Sequence, residues 1–344
     1  MTDSIPVQNI YYLLCYAWNK LDEGETVDVS SLDSTELADL FARVLTSGFH
    51  HLIRRGVDRN YLSFSEETPR IRGKINFSES IKRNLLRFGR PLCEFDELSY
   101  NVVHNQILKT TIQNLINTKN LDSKLKEELW EALRWLREVD SIRLSSQVFR
   151  RVQLHRNNSY YKFLLNVSEL VFENLLVDES GGQNRFRDFT RDEGKMRTLF
   201  EEFVRNFYRL RQTHFKVSSD KLYWNIEPQD SNSLNHIPEM RTDICLVADS
   251  RQIIIDCKFS KNIFKTYYEK ETLNPSHLYQ IYTYLRHAQE QKGWEKLEGT
   301  LLYPVVKQFV NLDFKIDGFP FKVRTINLNQ HWENIEFDLL KIIK

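Results

Sequence analysis

At 344 residues the chain is long enough for two domains, because a single core usually stops growing at about 250–300 residues. With 41% hydrophobic and 28% charged residues it has the make-up of a globular protein, and 11 glycines and 8 prolines are too few for long disordered linkers. A net charge of +1 argues against a generic polyanion binder, so any nucleic-acid contact must come from local patches.

The first residues, Met1-Thr2-Asp3-Ser4, carry an acid and no basic run, and no apolar stretch of roughly 18 residues follows. Neither a signal peptide nor a membrane span is expected. Ile5 to Lys20 predicts a helix with Pro6 near its start and Ile10, Leu13, Leu14, Ala17 and Trp18 at helical spacing. Tyr11, Tyr12 and Tyr16 widen that stripe, for a core or a partner surface. A second helix runs from Ser34 to about Ile53 and closes at Arg54-Arg55-Gly56, a basic last turn and a terminal glycine. Tyr61 to Phe77 and Pro91 to Leu98 read as strands. In the first, Arg70, Arg72 and Lys74 alternate with Ile71, Gly73 and Ile75, giving a basic face that either meets solvent or contacts phosphate or an acidic partner.

Asn101–Ile116 and Ser123–Val139 are amphipathic helices. The polar stretch from His155 to Ser159 sets a boundary between residues 1–156 and 157–344. Arg150, Arg151, Tyr160 and Tyr161 around it interleave charge and rings, as phosphate contact plus base stacking would need. A long helix then runs to about Leu176. Gly181 and Gly182 do not form a phosphate-binding loop, and the chain contains no G-x-x-x-x-G-K-[ST], so no nucleotide-hydrolysing motor is visible in it. Thr198–Gln212 is the next helix, with Leu199, Phe203, Phe207 and Leu210 as its stripe. Glu201 and Glu202 flank the stripe, facing water or a metal. A strand around Leu222–Ile226, a hairpin, a helix from Pro275 to about His287, strands at Gly299–Val305 and Phe321–Leu328, and a helix at Trp332–Ile343 complete the order of an α/β domain with a mixed central sheet.

The hairpin, Met240 to Lys261, is the centre of this half. Its strands, about Arg241–Ala248 and Gln252–Phe259, are separated by Asp249-Ser250, the two-residue spacing of a tight turn. A symmetric turn sets Asp243 opposite Asp256, and period-two alternation puts Lys258 on the same face. Ile244, Leu246, Ile253 and Ile255 take the other face. Two carboxylates on a buried sheet face need compensation, either by a hard divalent ion such as Mg²⁺ or by a structural Asp–Lys salt bridge. Gln280 and Tyr284 stand one helical turn apart after His277, on a polar stripe that faces water or lines a groove. Cys15, Cys93, Cys245 and Cys257 show no zinc spacing, and reduced thiols fit a cytoplasmic protein. No G-x-S-x-G or H-E-x-x-H is present.

Thr242-Asp243-(x12)-Asp256-Cys257-Lys258 resembles the PD-(D/E)xK nuclease signature, and Gln280-x-x-x-Tyr284 looks like the Q-x-x-x-Y helix of its RecB-like branch. The opening I-P-V-Q-N-I-Y-Y-L-L-C-Y-A-W, the segment R-I-R-G-K-I, the stretch F-D-E-L-(x6)-N-Q-I-L-K and the hairpin itself resemble the McrC family over nearly the whole chain. That family is the nuclease subunit of a modified-cytosine-dependent restriction system. Thr242 departs from the signature's proline, and the second acid is aspartate. The resemblance implies an α+β protein overall. A mixed N-terminal α/β domain, residues 1–156, docks on a partner, and a nuclease domain, residues 157–344, has a mixed central sheet flanked by helices.

The resemblance further implies Mg²⁺ held by Asp243 and Asp256, with Lys258 acting on the attacking water and Gln280, Tyr284 and Glu201 as auxiliaries. The implied partner is an McrB-like AAA+ GTPase ring, which the chain stimulates and for which Arg70, Arg72 and Lys74 are the candidate contacts. The implied substrate is double-stranded DNA with modified cytosine, read by the partner. The rival readings are a non-catalytic adaptor of that motor and a stand-alone RecB-like exonuclease.

Overall fold

The computed structural model describes residues 5–24, 27–29, 36–155, 159–176, 183–226, 236–260, 263–267, 270–304 and 309–344. The expected boundary at residue 156 and the Gly181-Gly182 loop lie outside them. From the N-terminus come helices α1 (Val7–Ala17), α2 (Leu21–Gly24) and α3 (Leu37–Arg55). Strands β1 (Asn60–Glu67) and β2 (Lys74–Ile75), helix α4 (Phe77–Lys82) and strand β3 (Leu92–Ser99) follow. Next are helices α5 (Val103–Ile116), α6 (Ser123–Trp135), α7 (Ser146–Arg151) and α8 (Ser159–Asn174), then the short strands β4 (Leu175–Leu176) and β5 (Arg185–Phe186). Helix α9 (Glu193–Arg211) leads into β6 (Lys216–Ser218), β7 (Lys221–Leu222), β8 (Met240–Arg241), β9 (Ile244–Ala248) and β10 (Arg251–Cys257). The chain ends with β11 (Phe264–Tyr267), β12 (Lys270–Leu273), α10 (Pro275–Lys292), β13 (Leu297–Pro304), β14 (Asn311–Ile316), β15 (Phe319–Ile326) and α11 (Trp332–Ile342).

Two compact units form, one of Met1–Gly24, Leu32–Thr35 and Asp188–Lys344, the other of Glu25–Ser31 and Glu36–Arg187. This division does not follow the expected cut after residue 156. Helix α1 folds with the C-terminal half: Tyr16 packs its ring against Phe203 and Phe207 of α9, and Asn9 Nδ2 donates to the carbonyls of Leu328 and Gln330 at 2.8 Å each. Helix α8 instead packs on α3 and α5 of the other unit.

The first unit is built on a six-stranded mixed sheet of order β14-β15-β13-β10-β9-β6, in which β10, β13 and β15 run parallel and the outer strands antiparallel. The unbroken run Ile253-Ile254-Ile255 suits a strand covered on both faces, and β10 is buried from Gln252 to Cys257. The hairpin has the expected register, with Ala248 opposite Arg251 and Ile244 opposite Ile255. Helix α10 lies close over β13, where a Cβ on Gly299 would come within 2.9 Å of Leu285 and 3.1 Å of Ile281. The apolar side chains of α10 share a core with Cys245, Ile254, Leu301, Phe321 and Val323. Helices α1, α9 and α11 form a second layer, joined by stacking of Tyr12 on Trp332 and by the Tyr208 hydroxyl, which donates to Leu339 O at 2.9 Å.

The second unit packs α3, α5, α6 and α8 around Phe41, Phe49, Ile107, Leu108, Leu129 and Phe163, all buried. It carries a three-stranded antiparallel sheet of order β1-β3-β2. The single strand expected over Tyr61–Phe77 is broken. It stops at Glu67, and Phe77 already opens α4, whose cap is Asn76, accepting from Glu79 N at 3.1 Å. Gly73, with φ +63°, brings the backbone so close to Glu94 O that a Cβ would lie 2.3 Å away. Arg70, Arg72 and Lys74 therefore do not share one strand face. Arg72 lies over the Phe95 ring, 4.3 Å from its centroid, and 3.8 Å from Glu97.

Candidate active site

Asp256 is the penultimate residue of β10 and is fully buried. Neither of its oxygens accepts a well-aligned hydrogen bond, although the Lys258 ammonium stands 2.7 Å from Oδ2 as an ion pair. Burial pushes the Asp256 carboxyl up to about 7, against the pull of Lys258 and with the help of the charges on Asp243 and Glu201. Burial also works against the Lys258 charge, but the Asp256 carboxylate outweighs it and holds the ammonium above its ordinary range.

Helix α10 aims that ammonium. Lys258 Nζ donates to Gln280 Oε1 at 2.9 Å, and Gln280 Nε2 donates to the Tyr284 hydroxyl at 2.7 Å. Both amide groups of Gln280 are thereby committed, which fixes its orientation. The two residues of the polar stripe thus face the strand ends.

Asp243 sits in the bend immediately before β9, one step beyond the last ladder pair of the hairpin. Its Oδ2 accepts from Cys257 N at 2.8 Å, and its carbonyl accepts from Arg205 Nη1 at 3.3 Å. Thr242 locks this bend where the nuclease signature has proline. Its hydroxyl accepts from Asp220 N at 2.9 Å, and its carbonyl accepts from Ser219 Oγ at 2.7 Å. Glu201 comes from α9 to lie within electrostatic reach of the Asp243 carboxylate. Burial first, and then the Asp243 charge, push Glu201 up to about 7. Glu202, its neighbour, lies 4.0 Å from Arg205 instead.

All six expected residues of this half, Glu201, Asp243, Asp256, Lys258, Gln280 and Tyr284, therefore meet at one end of the sheet. Arg70, Arg72 and Lys74 belong to the other unit. Sequence reasoning missed Arg205, which stands outside any short motif. Asp256, a fully buried acid whose charge is met among the described residues only by the Lys258 ammonium at Oδ2, fits a cation. Among the described residues no three His, Cys, Asp or Glu side chains form a ready-made metal cage. Mg²⁺ does not require one, since it is bound through one or two carboxylates and fills its remaining positions with water and substrate oxygens.

Residues 7–304 match the family described as McrBC 5-methylcytosine restriction system component. Over 338 residues the chain is 33% identical to the type IV methyl-directed restriction enzyme EcoKMcrBC of Escherichia coli K12, covering 98% of this chain and 97% of that protein. A solved half-complex from a tetradecameric assembly of Thermococcus gammatolerans McrB AAA+ hexamers with bound McrC has a similar fold. The TM-score is 0.63 at 15% identity, over 98% of this chain and 76% of that one.

Proposed function

The chain belongs to the McrBC 5-methylcytosine restriction system component family, and from that premise we propose that it is the McrC-type nuclease subunit of such a system. In this reading it is a Mg²⁺-dependent endonuclease that cuts double-stranded DNA containing modified cytosine. It works in the cytoplasm on an McrB-like AAA+ ring, whose GTP hydrolysis it stimulates. The carrying observation is the line Tyr284–Gln280–Lys258–Asp256, which directs a charged lysine at a fully buried carboxylate.

Asp243 and Asp256 would hold the ion, which when bound supplies Lewis-acid polarisation of the scissile phosphate. The hydrogen bond from Cys257 N keeps Asp243 turned to the strand ends, and Glu201 stands by as a further carboxyl next to it. Lys258, kept protonated by Asp256, orients the attacking water and stabilises the charge that develops on phosphate. Gln280 and Tyr284 restrict where that ammonium can go. The power stroke falls to the partner, because the chain has no G-x-x-x-x-G-K-[ST], and in this reading the partner also recognises the modified base. Arg70, Arg72 and Lys74 are the proposed contacts to the ring, and among the described residues no helix is long and apolar enough to cross a membrane.

The test is cleavage of 5-methylcytosine plasmid by the reconstituted complex with GTP, with Mg²⁺ or EDTA. Cutting by the wild type with Mg²⁺ alone among the two conditions, and none by Asp256→Asn, supports the reading. Equal cutting by Asp256→Asn refutes it.

A further inference from the structure

Two polar side chains beneath this site play no part in the reading above: His277 on α10 and Tyr303 near the end of β13. Tyr303 is fully buried. Leu301 pairs with Asp256 across the parallel ladder, and Lys258 N donates to Leu302 O at 2.9 Å. Period-two alternation therefore sets Tyr303 on the face that carries Asp256 and Lys258. The Tyr303 hydroxyl oxygen lies 2.9 Å from His277 Nδ1, and the other ring nitrogen, Nε2, lies 3.3 Å from Asn274 Nδ2.

The direction of this chain of hydrogen bonds is fixed at its Asn274 end. Asn274 caps α10, and its Oδ1 accepts from Ser276 N at 3.3 Å and from Ser276 Oγ at 2.9 Å. The amide nitrogen, which can only donate, is left facing the histidine. His277 Nε2 must then be the acceptor and carry no hydrogen. Burial, followed by the charges of Lys258, Lys265 and Arg197, pushes His277 down to about 4, so at neutral pH the ring holds one proton, on Nδ1. That N–H donates to the Tyr303 oxygen, which turns the tyrosine's own O–H away from the ring. On the sheet face that Tyr303 occupies stands the Asp256 carboxylate, met within the site by the Lys258 ammonium at Oδ2.

We propose that Asn274 and His277 form a one-way hydrogen-bond relay that aims the Tyr303 hydroxyl, as a donor, at the Asp256 side of the site. His277 is then a positioning residue for the carboxylate that would hold the divalent ion. Outer partners of this kind fix the orientation of a ligating carboxylate, and their loss weakens metal binding. With the opposite polarity a tyrosine lone pair would face the anion. The role toward the ion rests on the proposed function; the direction of the relay does not.

Two measurements on the full-length protein test the proposal. The first is ¹⁵N NMR of histidine-labelled, cation-free protein near neutral pH. It should show His277 neutral with its proton on Nδ1, and a proton on Nε2 would overturn the relay without any variant or ion. The second is calorimetric titration with Mg²⁺ alone. His277→Ala and Tyr303→Phe should each weaken binding about 10-fold, with the double variant no weaker than the worse single one. His277→Asn, which keeps an N–H near the Nδ1 position, should stay within about threefold of wild type. Wild-type affinity in Tyr303→Phe, or His277→Asn as weak as His277→Ala, would overturn the positioning role. If Asp256→Asn binds Mg²⁺ as tightly as wild type, the cation site itself fails, and the NMR result still stands by itself.

Discussion

The Lys258 ammonium lies 2.7 Å from Asp256 Oδ2, although the carboxylate is wholly buried and the lysine stands beyond the end of the strand. A charge pair at the mouth of an apolar strand leaves the lysine with one carboxylate beside it and the strand ends before it. Replacing either member should remove cleavage by at least about 10²–10³-fold, the range seen when one preorganised charge contact to a transition state is lost. The Asp256→Ala, Lys258→Ala double variant should be no worse than the singles, because the two act as one unit. Partner binding and GTP turnover, assayed on the same complexes, should survive. Joint loss of both activities would make the hairpin structural.

Gln280 offers a graded test of the same site. Its Oε1 accepts from Lys258 and its Nε2 donates to Tyr284, so Gln280→Ala frees the ammonium without touching either aspartate. One charged hydrogen bond lost corresponds to about 1.5–3 kcal/mol, or roughly 10- to 100-fold in rate. The fall should appear in single-turnover cleavage and not in DNA affinity, and it should vanish in a Lys258→Ala background. An undiminished rate in Gln280→Ala would remove the helix from the mechanism.

The hairpin was legible because its information is local. Two turn residues, Asp249 and Ser250, fix the register, and Ile253-Ile254-Ile255 marks a strand buried on both faces. The pairing of Gln280 with Lys258 was half legible: helical spacing joins Gln280 to Tyr284, but nothing in the spacing names the lysine. Glu201 and Glu202 both flank the stripe of α9, and only the fold separates the one that meets Asp243 from the one beside Arg205. Tyr303 is hidden in the apolar run Leu301-Leu302-Tyr303, which reads as plain core. The alternation of Arg70, Arg72 and Lys74 misled for the converse reason, since Gly73 turns the chain at positive φ where the pattern looks like strand. Strands β6 and β14 were missed; both lie at the edges of the sheet, where one side of the ladder makes no demand on the sequence.

The unit boundaries lead to a truncation experiment. Phe163, Leu164, Val167 and Val171 of α8 are buried, and α8 packs on α3 and α5. At about 1.5–3 kcal/mol per buried apolar side chain, their loss is on the order of 6–12 kcal/mol, comparable with the whole stability of a domain. A fragment of residues 25–187 should therefore unfold cooperatively in urea, whereas one ending at residue 156 should not. With the proposed docking role, the longer fragment should also raise GTP hydrolysis by the partner. A cooperative 25–156 fragment would restore the shorter boundary.

The last prediction concerns the cation-free protein and its pH dependence. Burial pushes Asp256 and Glu201 up to about 7 and raises Asp243 as well. In the unfolded chain such carboxyls titrate near pH 4. Between about pH 4 and 7 these carboxyls hold protons in the folded state that the unfolded state has released, so their contribution to stability falls as pH rises through that window. Lowered histidines such as His277 contribute the opposite slope, which is common to wild type and variant. Lys258 is raised above its ordinary range and stays charged throughout, so it adds no slope there. Asp220 and Glu298 are held low by Lys292 and Arg251, against burial, and their contribution is lost only as pH drops below the window. Subtracting the unfolding free energy of Asp256→Asn from that of wild type isolates the site, and in EDTA the difference should become steadily less favourable to wild type from about pH 5 to 8. Mg²⁺ at about 100 times its Kd should return about 2.7 kcal/mol to wild type near pH 8. It should return less near pH 5, where the ligands are protonated and the ion must displace protons to bind. A difference that does not change with pH would mean that Asp256 is charged in the folded protein across the whole range, held by Lys258 alone, and that the site has no need of a cation.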